Sequence, residues 1–113
     1  MKAQETGRLG EQEAARYLRK MGYKLLDLNY RSRYGEIDIV AQDGRTVVFV
    51  EVKTRKNADY ALAMDAVTLR KQEKLRMTAQ QWLAENGERP ARFDVIEIYT
   101  GTFRLHHIRD AFV

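Results

Sequence analysis

A chain of 113 residues that is 44% apolar has room for one hydrophobic core rather than two. With one Pro, seven Gly and 32% charged residues it is neither disordered nor fibrous. The absence of cysteine excludes a disulfide framework, a thiolate zinc site and a thiol nucleophile, and suits the cytosol. The opening Met-Lys-Ala-Gln-Glu-Thr-Gly-Arg has no apolar signal core and no run approaches the roughly 20 apolar residues of a membrane span, so no membrane partner is expected. A net charge of +4 admits a polyanionic partner only where the basic residues cluster.

From Gly7 to Met21, Ala14, Ala15, Tyr17, Leu18 and Met21 recur at helical spacing, and Gly22 sits where a C-terminal cap belongs. Tyr23 to Tyr30 is rich in strand formers. Gly35 to Ala41 and Thr46 to Thr54 flank Asp43-Gly44, a hairpin signal. A second helix begins near Thr68, a residue suited to an N-cap, carries Leu75, Ala79, Trp82 and Leu83 on one stripe, and ends at Gly87 and Pro90. Phe93 to Tyr99 and Phe103 to Ile108 are two closing strands around Gly101. The predicted fold is an α/β single domain over 1–113, order αβββαββ, with a central mixed sheet and a helix on each face.

A two-residue turn centred on Asp43-Gly44 sets Gln42 opposite Arg45, Asp38 opposite Phe49 and Glu36 opposite Glu51. Strand alternation then gives one face to Ile37, Ile39, Val48, Val50 and Val52. The other face takes Glu36, Asp38, Glu51 and Lys53, with Val40, Val47 and Phe49 nearer the turn. Asp38 becomes a diagonal neighbour of Glu51. Carboxylates so close repel unless a cation, a neighbouring Lys or Arg, or a raised pKa compensates them. Oxygen ligands without His or Cys suit a hard ion, Mg²⁺ or Mn²⁺. The chemistry needing such a set is metal-assisted phosphodiester hydrolysis. Asp38 and Glu51, with the Val52 carbonyl, would hold the ion, and Lys53 would orient water or stabilise the transition-state charge. The same spacing also fits a Glu51–Lys53 salt bridge on a solvated strand face, and spacing alone does not choose between them.

Asp38 followed by twelve residues and Glu51-Val52-Lys53 resembles the PD-(D/E)XK nuclease superfamily, which includes restriction endonucleases and archaeal Holliday-junction resolvases. Gly7-Arg-Leu-Gly10-Glu11, Asn29-Tyr30-Arg31, Gly35-Glu-Ile-Asp-Ile-Val40, Val48-Phe-Val-Glu-Val-Lys-Thr-Arg55, Arg70-Lys71 and Arg92-Phe-Asp-Val95 resemble the successive signatures of the YraN-like bacterial family within it. The resemblance covers nearly the whole chain. It implies a restriction-endonuclease-like fold and divalent-metal-dependent cleavage of DNA at Asp38, Glu51 and Lys53. Ile37 stands where the superfamily's motif has Pro, which does not ligate metal. By position, Glu11 matches the acidic residue that joins the metal centre from the first helix in resolvase-like relatives.

Glu36 shares the hairpin face and is either a further metal ligand or a structural acid. Glu11 is alternatively an ordinary first-turn acid on its helix. Arg31, Arg33, Arg55 and Lys56 flank the hairpin, and Arg70, Lys71 and Lys74 open the second helix. Together these seven residues would track a nucleic-acid backbone; singly each reads as a solvated charge. Tyr30, Tyr34 and Tyr60 are candidates for base stacking or for packing, and Trp82 is core. His106 and His107 point to opposite faces of a strand and cannot share a metal; Asp94 is structural or supports the site. The expectation is a Mg²⁺-dependent DNA nuclease in the cytoplasm, with branched DNA a candidate substrate. The rival from another class is a nucleic-acid-binding or adaptor module without catalysis, and a homodimer supplying two active sites is a third arrangement.

Overall fold

The computed structural model describes residues 3–55, 67–102 and 104–113, with side chains from Arg8 onward. The elements are α1 (Ala3–Lys20), β1 (Lys24–Ser32), β2 (Gly35–Asp43), β3 (Thr46–Arg55), α2 (Leu69–Asn86), β4 (Ala91–Tyr99) and β5 (Arg104–Phe112). One sheet runs β1-β2-β3-β4-β5, antiparallel throughout except for the parallel β3–β4 pair. The α/β fold class and the order αβββαββ are those predicted.

Each helix covers one face. Leu75, Ala79, Trp82 and Leu83 of α2 pack with Ile37, Val40, Val47, Phe49 and Val95, where Phe49 and Trp82 meet edge to face at 5.9 Å. Ala14, Ala15 and Leu18 of α1 pack with Ile39, Ala41, Val48, Val50, Ile96 and Ile98 on the other face. Trp82 is core, as its stripe predicted.

The helix ends follow local chemistry. Gly22, at φ 90°, donates to Arg19 O at 3.0 Å while Tyr23 N–H donates to Leu18 O at 2.9 Å. These two bonds form a Schellman cap, and Leu18 and Tyr23 complete it by packing in the same core. Thr68 caps α2, its hydroxyl accepting from Lys71 N–H at 3.2 Å.

Two details of the hairpin differ from prediction. The turn centres on Gly44-Arg45, not Asp43-Gly44: Asp43 pairs with Thr46, Gln42 with Val47, Val40 with Phe49 and Ile39 with Val50. Gly44 carries φ 60° and Arg45 no positive φ, so glycine takes the first central position, the pattern of a type II′ turn. The register moves by two, which preserves which face each β3 residue takes. Continuing the count sets Asp38 across from Glu51, not Phe49. Ile37, moreover, joins the α2 side with Val40, three residues away, while Ile39 lies on the α1 side. Strict alternation forbids that, so β2 twists at Asp38.

β1 twists at the same level. Its ladder with β2 passes from Leu28↔Ile39 to Tyr30↔Ile37, skipping Asn29 and Asp38, and Asn29 stands at φ 53°. Asn is among the few non-glycine residues that tolerate this conformation.

Helix α1 approaches β3 closely because of Gly10, where a Cβ would collide with Thr54 Oγ1. We expect Gly10→Ala to destabilise the protein by about 1–2 kcal/mol through this overpacking. In a Thr54→Ala background the same change should stabilise by up to about 1 kcal/mol, the helix-propensity gain. Chemical denaturation of the four proteins in this cycle measures the coupling; additive effects would show that the contact does not set the helix position.

Candidate metal centre on the parted strands

The paired residues of β2 and β3 stop at Ile39↔Val50. Beyond them Val52 N–H donates to Asp38 Oδ2 at 2.8 Å. A carboxylate has taken the bond that a strand carbonyl would otherwise accept, and the strands part around it. β3 stays paired with β4 from Val47 to Arg55, so Glu51 and Lys53 keep their alternation and lie on the α2 side of the sheet.

Four carboxylates gather at this gap. Glu51 comes from β3 and is buried, at 8% exposure. Asp38 and Glu36 come from β2, and Glu11 from α1, one residue beyond the close approach at Gly10. With its amide oriented to satisfy its neighbours, Asn29 donates to Glu11 Oε2 at 3.1 Å and to Glu36 Oε1 at 3.0 Å. The left-handed residue of β1 therefore bridges a helix acid and a strand acid.

The electrostatics around Asp38 are dominated by neighbouring carboxylates. Burial, followed by the charge on Glu51, pushes the Asp38 carboxyl up to about 7, against the lowering effect of the Val52 N–H; Glu11 and Glu36 push the same way. Burial also raises Glu11, with the Asn29 hydrogen bond opposing and the charges of Glu36 and Glu51 adding.

Each acid is held by a protein donor: Asp38 by Val52 N–H, Glu11 and Glu36 by Asn29, and Glu51 by Lys71 Nζ at 2.8 Å. In these rotamers no group of three or more His, Cys, Asp or Glu among the described residues forms a ready metal cage. The donor chemistry nevertheless suits a hard divalent ion: oxygen ligands only, in a neighbourhood whose negative charge already raises the Asp38 pKa. Asp38 and Glu51 would hold the ion, with Glu11 and Glu36 completing or supporting the set.

The basic residues divide. Arg31, Arg33, Arg70 and Lys74 are exposed. Arg31 reaches Glu36 at 3.6 Å, and Arg33 lies over the Tyr34 ring at 4.8 Å. Ser32 Oγ meets Thr78 Oγ1 at 3.0 Å, and a Cβ at Gly35 would touch Lys74 and Thr78, so the β1–β2 turn lies against α2 and the two share one rim. Lys71 is turned inward to Glu51. Arg55 pairs with the buried Glu97 at 2.9 Å, so its charge is engaged inside the sheet. Lys56 and Tyr60 lie outside the described residues. Tyr30 packs against the core and donates to Glu85 Oε1 at 2.6 Å, a packing role.

The two histidines meet different carboxylates, His106 contacting Glu97 at 3.3 Å and His107 contacting Asp94 at 2.7 Å. His107 also meets the Tyr17 hydroxyl at 2.9 Å, and Arg92 joins Asp94 to Asp43 and to Tyr23. Asp94 is thus the centre of a structural network on the α1 side. This role of His107 has no signal in the sequence, because a buried imidazole between a phenol and a carboxylate leaves no spacing pattern.

The family model described as "Uncharacterised protein family UPF0102" matches residues 10–98, which include the whole carboxylate cluster. The chain belongs to the UPF0102 family. A UPF0102 protein of Parafrankia sp. (strain EAN1pec) is 50% identical over 97% of this chain and 98% of its own length. One from Rhodococcus jostii is 45% identical over 94% of each chain, and one from Caldicellulosiruptor saccharolyticus 41% identical over 88% of this chain and 86% of its own. The UPF0102 family is the YraN-like group whose signatures the sequence carries, so that resemblance holds. No helix among the described residues is long and apolar enough to cross a membrane.

The raised Asp38 pKa gives a pH-dependent stability. Its folded value near 7 lies above its ordinary value of 3.8, so between these the folded protein binds more protons than the unfolded one. Stability therefore falls as pH rises through that window. Asp38→Asn removes the charge yet keeps an acceptor for Val52 N–H. In EDTA at about pH 8 it should stabilise the protein by on the order of 1–3 kcal/mol, with the gain vanishing near pH 4. Thermal melts at the two pH values test this, and an equal shift at both would remove charge as the cause.

Proposed function

We propose that this UPF0102 protein is a Mg²⁺- or Mn²⁺-dependent nuclease that hydrolyses DNA phosphodiester bonds at the gap between β2 and β3. The observation that carries the reading is the Asp38 carboxylate seated on Val52 N–H, its pKa raised by burial and by Glu51, with Lys53 two residues further along the same side of β3. A divalent ion bound there supplies Lewis-acid polarisation of the scissile phosphate and acidifies water.

The chain's own residues do the rest. Asp38 is fixed by a backbone donor at Oδ2 and would offer its carboxylate to an ion. Glu51 would offer a buried carboxylate from the adjoining strand, and the Val52 carbonyl would be a further oxygen ligand. Lys53, a compact cation, orients the attacking water and stabilises the charge that builds on the phosphoryl oxygens. Water forms the new bond to phosphorus as the bond to the leaving sugar oxygen breaks. Arg31, Arg33, Arg70 and Lys74 on the shared rim hold the backbone on either side.

A second reading is a nucleic-acid-binding module that keeps the fold without catalysis. The Lys71–Glu51 ion pair favours it, since it engages one of the two central carboxylates.

Labelled linear, flapped and four-way DNA incubated with Mg²⁺, Mn²⁺ or EDTA separates the two. We expect ion-dependent cleavage of at least one substrate, reduced roughly 100-fold or more by Lys53→Ala and by Asp38→Asn. Cleavage that survives both substitutions would identify a contaminant. No cleavage of any substrate, together with no divalent-ion binding, would overturn the nuclease reading in favour of the binding module.

A further inference from the structure

The first turn of α2 reads Leu69-Arg70-Lys71 and contains no acid, although an N-terminal turn attracts negative charge and repels positive charge by about 0.3–1 kcal/mol per group. Lys71 occupies the third position after the Thr68 cap, where a Glu or Gln would close a capping box. Helix stability therefore does not explain Lys71. Its side chain instead reaches across to β3 and places Nζ 2.8 Å from Glu51 Oε1; the lysine is 37% exposed and the carboxylate 9%.

Glu51 is one of four acids at the gap, and among the described residues the salt-bridge partners of that cluster are Lys71 on Glu51 and the exposed Arg31 on Glu36 at 3.6 Å. Lys71 is the one of these two that sits against a buried oxygen. A divalent ion held by Asp38 and Glu51 would meet that ammonium head-on, and the two cations repel.

We propose that Lys71 is a displaceable counter-cation of this site: it holds Glu51 in the ion-free protein, leaves when a divalent ion arrives, and passes to a phosphate of the bound strand. This rests on the metal-centre reading above. Lys71 is a positioning residue in the ion-free state and a phosphate contact in the loaded one. Its partial exposure leaves the side chain room to swing outward, and the rim residues Arg70 and Lys74 mark the direction in which a phosphate backbone would lie.

The sign of one measurement separates this role from a structural one. Mn²⁺ is titrated calorimetrically into the full chain without DNA, comparing the native protein with Lys71→Gln and Lys71→Arg. Both variants keep the backbone N–H that Thr68 caps and a good helix former. Removal of a competing cation should tighten Mn²⁺ binding in Lys71→Gln by about tenfold at low ionic strength, while Lys71→Arg stays within about twofold of the native protein. Affinity of Lys71→Gln for duplex DNA in the presence of Mn²⁺ should fall, with a shallower salt dependence. Mn²⁺ binding that is unchanged or weaker in Lys71→Gln overturns the exchange and leaves the metal centre standing. Absence of Mn²⁺ binding in native protein and variants alike overturns both.

Discussion

The Val52 N–H donates to the Asp38 carboxylate where a central strand would offer it to a neighbouring carbonyl, and the candidate site depends on that substitution. A continuous β2–β3 ladder would have kept the sheet closed between the two helices. Acids on the α1 side and the α2 side would then be separated by a layer of backbone. With the described pairs ending at Ile39↔Val50, Glu11 of α1 and Glu51 of the α2 side come close enough to influence the same Asp38. Asn29 makes the matching break in β1, and the two twists at one level turn Ile37 and Tyr30 toward the α2 core.

A second aspartate in the same sheet uses the same device with opposite electrostatics. Asp94, fully buried, accepts Asp110 N–H at 3.0 Å where β5 bulges and Asp110 takes φ 50°. Burial pushes its pKa upward, but His107, Arg92 and the Asp110 N–H outweigh that, and the net shift is downward. Asp38 has a backbone donor too, yet its charged neighbours are carboxylates and its pKa rises. Asp94, fully buried, and Asp38, partly buried, each accept a backbone N–H where a ladder is interrupted, and they differ in the charge of their nearest ionic neighbours. The Asp94 network offsets its charge with Arg92 and His107, whereas the ionic groups that act on Asp38 are carboxylates that raise its pKa.

Much of this was legible in the sequence. Helix α1 ends at the glycine that spacing marked, α2 begins at the threonine and buries the stripe containing Trp82, and Glu51 and Lys53 project together because β3 keeps its alternation. The turn was misplaced by one residue because Asp-Gly is a strong type I′ signal, whereas this hairpin uses Gly44 as the first residue of a two-residue turn. The shift moved Asp38 from a diagonal position to one across from Glu51, and the faces of β3 survived while alternation in β2 failed at Asp38. What no periodicity could supply was the twist at Asp38 and Asn29, since alternation assumes an unbroken strand. Contacts between distant elements were equally silent: Lys71 with Glu51, Arg55 with Glu97, and Tyr17 with His107.

The placement of the basic residues sharpens what the net charge alone could not decide. Charge of +4 is compatible with any solvated surface. Here Arg55 is consumed by a buried glutamate and Lys71 by a buried site acid, while Arg31, Arg33, Arg70 and Lys74 stay exposed. The Ser32–Thr78 hydrogen bond lays the turn that carries Arg33 against α2 near Lys74, so two segments far apart in sequence form one rim. A polyanion drawn to that rim would pass beside an anionic cluster, which repels phosphate unless a cation intervenes. In the reading proposed above, a bound divalent ion would offset that repulsion and let one ligand meet both rim and cluster.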